Sequence, residues 1–215
     1  MEREKIKTFA INLKHRADRR KHIIGQFERQ KEFDLEIFDA IIDQNGSLGL
    51  IKSVLSIVKT ASELDLDYVL ICEDDHQFTE HFSSEFLLDQ IHTSKRMGAE
   101  VLLGGVSWYD AAVRVKENLY WLNQFNGTQF LLIYKKLYPA ILNYSFSGTD
   151  PLDIVISRIS AKIFTCFPFL SQQTYFGYSD ATAIHDLNQI NSYELFLNTE
   201  NRLEKNRKID DFYNK

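Results

Sequence analysis

Apolar and polar positions along the first half of the chain switch between a period of two and a period near 3.6, and the switches mark alternating strands and helices. Lys7 to Leu13 (KTFAINL) reads as a short strand, and from about Arg16 to Gln30 the residues Ile23, Ile24 and Phe27 recur at helical spacing. Phe33 to Ala40 reads as extended. Asn45-Gly46 then marks a turn, Ser47 can cap a helix, and Ile51, Leu55, Val58 and Ser62 follow one another on one helical face. Tyr68 to Cys72 (YVLIC) is an unbroken apolar run too short for a helix, as a central strand covered on both faces requires. A helix from about Ser83 to Arg96 and a strand from Val101 to Leu103, ending at Gly104-Gly105, continue the alternation.

The pattern changes beyond Gly105. Leu119 to Phe125 and Gln129 to Tyr134 read as aromatic-rich strands separated by Asn126-Gly127, a hairpin-like signal, so the sheet is expected to become mixed. Asp150 followed by Pro151 predicts a capped helix running to about Ala161, and from about Asn188 the chain is a charged, Asn-rich tail expected to be partly peripheral. The expected fold is a single α/β domain over 1–215, with a Rossmann-like, mostly parallel but mixed sheet flanked by helices.

Composition narrows the function. A chain of 215 residues with 44% hydrophobic residues can bury one sizeable core. Its 25 basic and 30 acidic residues give a net charge of −5, which disfavours a dedicated nucleic-acid binder. The charged opening MEREKIKTFAINL lacks the apolar run of a signal peptide, so a cytoplasmic protein is expected. Cys72 and Cys166 both fall in apolar strand-like runs and read as buried thiols.

Candidate chemistry begins with Glu73-Asp74-Asp75, directly after the YVLIC strand. Three adjacent carboxylates in a partly buried place repel one another unless a cation or proton offsets them. The carboxyl edge of an open parallel sheet is where ligands bind, and a hard Mn²⁺ or Mg²⁺ ion takes one or two carboxylates while keeping positions for phosphates. A solvated acidic loop capping the next helix is the alternative. Arg16, Arg19 and Arg20 crowd the start of the first helix, where an anion is favoured and cations are not; a solvated basic face balanced by Asp18 is the other reading. Asp150 and Asp153 suit a helix start on capping grounds alone, and His185 is the only histidine of the C-terminal half.

These residues resemble glycosyltransferase family 25, the lipopolysaccharide-biosynthesis transferases related to collagen galactosyltransferases. The resemblance rests on INLKHRADRR near the start, FDA at Phe38–Ala40, GSLGLIKS at Gly46–Ser53, VLICEDD at Val69–Asp75, GTQFLLIYKK at Gly127–Lys136, PLD at Pro151–Asp153 and YSDAT at Tyr178–Thr182. It implies a GT-A-like fold and transfer of a sugar, by resemblance galactose, from a UDP-sugar donor, with inversion. The acceptor would be a saccharide or lipid-linked saccharide, with peripheral contact at the inner membrane face. By the same resemblance, Asp75 and His185 would bind Mn²⁺ or Mg²⁺. Glu73 and Asp74 would position the donor, Asn12, Arg16, Arg20, Gly49 and Ser53 would lie by the nucleotide, and Asp153 would be the general base. The chain departs from the family at Leu50 and Val54, where Cys and His are common. That departure supports a second expectation, a degenerate domain that binds a nucleotide or a partner without turnover.

Overall fold

The computed structural model describes residues 5–146, 150–177 and 192–213. Strands β1 (Ile6–Asn12), β2 (Phe33–Asp39) and β3 (Tyr68–Glu73) are joined by helices α1 (Ala17–Phe27) and α2 (Gly46–Glu63), and β1 pairs in parallel with both β2 and β3. These are the two crossover units that the alternating periods predict. The chain continues through β4 (His76–Phe78), α3 (Ser84–Arg96), β5 (Val101–Leu103), β6 (Trp108–Tyr109), β7 (Ala112–Lys116), β8 (Leu119–Leu122), β9 (Phe125–Asn126) and β10 (Phe130–Tyr134). A 3₁₀ turn (Lys135–Leu137), α4 (Tyr138–Leu142), α5 (Leu152–Ile159), β11 (Ile163–Cys166), β12 (Ser171–Gln173) and α6 (Ser192–Tyr213) follow.

Among the described residues, eight strands form one sheet in the order β2-β1-β3-β10-β5-β11-β8-β7. Only β10 and β8 run against the other six, so the sheet is mostly parallel in direction and mixed in pairing. Its two faces are separated by the strand period of two. Val69 and Ile71 of β3 pack towards Ile51, Val54 and Val58 of α2, with α4, α5 and α6 on the same side. Leu70 and Cys72 point the other way, towards Ile23 and Phe27 of α1 and Leu87 and Ile91 of α3. Helices on both faces explain why β3 reads as a continuous apolar run.

Three local expectations are corrected. Asn45, not Ser47, caps α2: its side chain accepts from the Ser47 and Leu48 amides at 3.0 and 3.4 Å. Asp150 does not cap α5, which starts after Pro151; its carboxylate instead accepts from Arg158 Nη1 at 3.1 Å. The segments around Asn126-Gly127 do not pair as a hairpin. All five residues of β10 are buried, which suits the slot between β3 and β5, whereas β8, with Trp121 partly exposed, pairs with β11 and β7 nearer the edge. Beyond these, most of the polar tail forms the 22-residue helix α6. It is held through buried Phe196, Thr199 and Leu203, with Thr199 Oγ1 donating to the Ser107 carbonyl at 2.7 Å and the Arg202 guanidinium 4.1 Å above the Tyr109 ring. No helix among the described residues is long and apolar enough to cross a membrane.

Candidate functional site

Parallel pairing aligns the carboxyl ends of β1 and β3. Ile11 lies opposite Glu73, so Asn12 arrives beside the acidic triplet. Asn12 is almost fully buried, and its Nδ2 donates both to Asp74 Oδ2 at 2.8 Å and to the Arg16 carbonyl at 3.2 Å. From the first turn of α1, Arg19 Nη1 donates to Asp74 Oδ1 at 3.1 Å and lies 3.9 Å from Asp75 Oδ2. Both oxygens of Asp74 are therefore engaged by the fold itself. The Arg19 guanidinium also sits 5.0 Å from the Phe176 ring centre, in a cation–π arrangement.

The flanking acids are held differently. Glu73 accepts from Thr128 Oγ1 at 2.6 Å. Asp75 has one buried oxygen, Oδ1, with no hydrogen-bond partner, while its backbone carbonyl accepts from the Thr174 amide at 2.8 Å. Burial pushes the Glu73 and Asp75 carboxyls above the usual range, and the neighbouring carboxylates push them further, with Arg19 opposing. The next residue, His76, has the opposite character. Enclosed by the Phe27, Phe78 and Phe130 rings and joined to Ser171 Oγ through Nδ1 at 2.7 Å, it is driven by burial down to about 3 and stays neutral.

A fourth carboxylate enters from the far half of the chain. Asp153, in the first turn of α5, accepts from its neighbour's Ile154 amide at 2.8 Å and from the Gly127 amide, and burial raises its carboxyl. Gly127 makes this possible with a φ of +112°, a conformation that side-chain-bearing residues rarely adopt. The four acids and Arg19 face a cleft of about 860 Å³, bounded by the β2–α2 loop on one side and by Thr174, Tyr175 and Phe176 on the other.

The sequence-based candidates divide among distinct places. Glu73, Asp74, Asp75, Asp153 and Gly49 line the cleft. Asn12 stands behind Asp74, and Arg16 contributes its carbonyl to Asn12. Arg20 is turned elsewhere: it is partly exposed and 3.7 Å from Asp39. Ser53 is fully buried, accepting from the Ile41 amide at 2.9 Å and donating to the Gly49 carbonyl at 2.8 Å. Val54 packs wholly within the core. His185 and the Tyr178–Thr182 motif lie outside the described residues. Thr128 is a contact that sequence reasoning passed over, and Arg19 is one that it did not single out. Arg19 was visible as the middle of the arginine cluster, but only the three-dimensional turn of α1 selects it over Arg20. Among the described residues, no three His, Cys, Asp or Glu side chains come together in an arrangement that could hold a metal ion by themselves.

The sequence matches no protein-family model and no curated protein. Solved structures do resemble it. A197 from STIV is 11% identical, covers 81% of this chain and 87% of its own, and superposes with a TM-score of 0.54, which shows a shared fold. A glycosyltransferase involved in glycosylation of the major capsid of PBCV-1 is 8% identical over 75% of this chain and 81% of its own, with a TM-score of 0.47. A UDP-glucose pyrophosphorylase from Acinetobacter baumanii is 10% identical over 85% and 75%, also with a TM-score of 0.47.

Proposed function

We propose that this chain is a metal-dependent, inverting glycosyltransferase with a GT-A-like fold, using a UDP-sugar donor and a saccharide or lipid-linked saccharide acceptor. The observation that carries the reading is the convergence of Glu73, Asp74, Asp75 and Asp153, with Arg19, on one cleft at the carboxyl edge of the sheet. The order of motifs that resembles glycosyltransferase family 25 supports the finer statement, a galactosyl transfer in lipopolysaccharide or surface-polysaccharide synthesis at the inner membrane face.

The residues fit a divalent cation of the phosphate-bridging kind. The buried Asp75 Oδ1 has no hydrogen-bond partner, Arg19 standing nearer the other oxygen at 3.9 Å, and a hard cation that keeps most of its sites for phosphate oxygens needs only one such carboxylate. When bound, Mn²⁺ or Mg²⁺ would supply Lewis-acid stabilisation of the departing diphosphate. His185 is a candidate second ligand from the resemblance.

The chain's own groups would do the rest. Arg19, held by Asp74 and Phe176, lends positive charge to the donor phosphates. Glu73, fixed by Thr128, and Asp74, fixed by Asn12, are assigned to orienting ribose and sugar. Asp153 accepts the proton of the attacking acceptor hydroxyl; its burial raises its affinity for that proton, and the Gly127 and Ile154 amides fix its direction. The degenerate reading drew on Val54. Val54 packs in the core and does not line the cleft, whereas Leu50, the other departure, does line it.

The test is release of UDP from a panel of UDP-sugars, with an oligosaccharide acceptor, with and without Mn²⁺. One donor should be turned over, with activity lost on chelation and reduced at least 100-fold in Asp153→Asn. Binding of UDP without release from any sugar would favour the non-catalytic alternative.

A further inference from the structure

Helix α6 borders two cavities with two different faces. Ser192 and Leu195 line the acidic cleft, whereas Tyr193, Phe196, Leu197 and Glu200, at the i, i+3, i+4, i+7 spacing of one helical face, line a second cavity of about 460 Å³. Its other wall comes from the two-stranded ribbon of β4 and β12 and from the residues after β4. Gln77 and Gln172 are direct partners in that ribbon, so both side-chain amides stand on the same face of it, and both line the cavity together with Glu80.

The polar groups of this cavity are only partly committed to the fold. Glu200 Oε1 accepts from the Phe169 amide at 2.9 Å, which fixes the carboxylate and leaves its other oxygen without a donor among the described residues. Gln77 Oε1 accepts from Thr174 Oγ1 at 2.9 Å, while its amide nitrogen and the side chains of Gln172 and Glu80 have no partner among the described residues. Beside them the Tyr193 ring is 49% exposed. With two carboxylates and no lysine or arginine among the described lining residues, the cavity repels a phosphate or any other acidic ligand. An uncharged polyhydroxylated ligand matches it. Amide donors and carboxylate acceptors pair with hydroxyls, and the Tyr193 ring offers a rigid apolar face to C–H groups at small entropic cost.

We propose that this cavity is a second saccharide-binding site, separate from the acidic cleft, which takes a neutral sugar unit against Tyr193 with its hydroxyls on Gln77, Gln172, Glu80 and Glu200. The inference goes beyond the donor-site reading and stands whether or not the cleft turns over a UDP-sugar. Because α6 contributes to both cavities, a glycan held at the second site lies against the same helix that walls the cleft.

The experiment titrates the full chain with short neutral oligosaccharides ending in galactose, glucose or N-acetylglucosamine. Binding is read by saturation-transfer NMR and located by hydrogen exchange over residues 77–81 and 193–200. It is repeated for Tyr193→Ala, Gln172→Ala and the cleft variant Asp153→Asn, each shown by circular dichroism to be folded, with UDP affinity measured alongside. At least one oligosaccharide should bind the native chain and slow exchange in both segments. Tyr193→Ala and Gln172→Ala should each weaken that binding about tenfold or more while leaving UDP affinity unchanged, and Asp153→Asn should bind the oligosaccharide as the native chain does. If one of the two cavity variants does not fold, the other decides. Failure of every oligosaccharide to bind, protection confined to the cleft, affinity unchanged in the cavity variants, or capture of a lysine-rich peptide in place of any saccharide overturns the second site. Failure of the native chain to bind UDP would overturn the donor-site reading and leave this site standing.

Discussion

Cys72 and Cys166 are both completely buried on the α1/α3 face of the sheet, and both are free thiols. Burial raises each thiol above its ordinary range, with the Glu73 charge adding to the effect at Cys72. The folded chain therefore keeps two protons that the unfolded chain gives up above about pH 8.5. Their contribution to stability is fully present below that pH and is lost as pH rises through it, at up to roughly 1.4 kcal/mol per thiol per pH unit. Urea unfolding between pH 7 and 10 should show this decline, and the double variant Cys72→Ala, Cys166→Ala should show a shallower one from a lower starting stability. An equal slope in both proteins would remove the thiols as its cause. The same two residues show how far single positions were legible. An apolar strand run announces a buried cysteine, but nothing in the run announces that Asp74 would find both its partners on β1 and α1.

The β2–α2 connection is where a sequence motif acquires a different meaning in three dimensions. In GSLGLIKS, Gly49 and Ser53 lie one turn apart on α2. A Cβ on Gly49 would come within 2.6 Å of the Ile41 carbonyl, and Ser53 Oγ joins the Ile41 amide to the Gly49 carbonyl. Together they clamp the loop after β2, whose residues form one wall of the cleft. Ser53→Ala should cost about 0.5–1.5 kcal/mol by removing the hydrogen bond to the part-buried Ile41 amide. Gly49→Ala should displace the loop, lowering UDP affinity as well as thermal stability. Calorimetric titration with UDP and Mn²⁺ distinguishes them, because Gly49→Ala should lose more binding for each degree of lost stability. Indistinguishable behaviour would argue against a loop-shaping role for Gly49. Periodicity revealed α2 and the strands beside it because their apolar faces recur over many residues. It misjudged Asn126-Gly127, because pairing partners are set by which slot in the sheet is covered on both faces, and the glycine is needed to aim an amide at Asp153. It likewise passed over α6, whose few buried residues are diluted by charged and amide side chains.

Across the whole molecule, the sheet order is what makes the cleft. Residues near positions 12, 19, 74, 127 and 153 are brought together because β1 and β3 are neighbours, β10 is inserted next to β3, and α5 packs beside β9. The strand–helix alternation foretold the class of fold and the edge at which the acids stand. The insertion of β10 and the arrival of Asp153 depend on long-range pairing that local sequence does not encode. The central claim, a diphosphate site built on Asp75, is tested most directly by thermal unfolding of the native chain and of Asp75→Asn with UDP, Mn²⁺ and both. The native chain should be stabilised by UDP and Mn²⁺ together, by about 2.7 kcal/mol when the ligand stands at 100 times its Kd, and Asp75→Asn should fold but lose that gain. No metal-dependent stabilisation of the folded native chain, or the same stabilisation in Asp75→Asn, would contradict it.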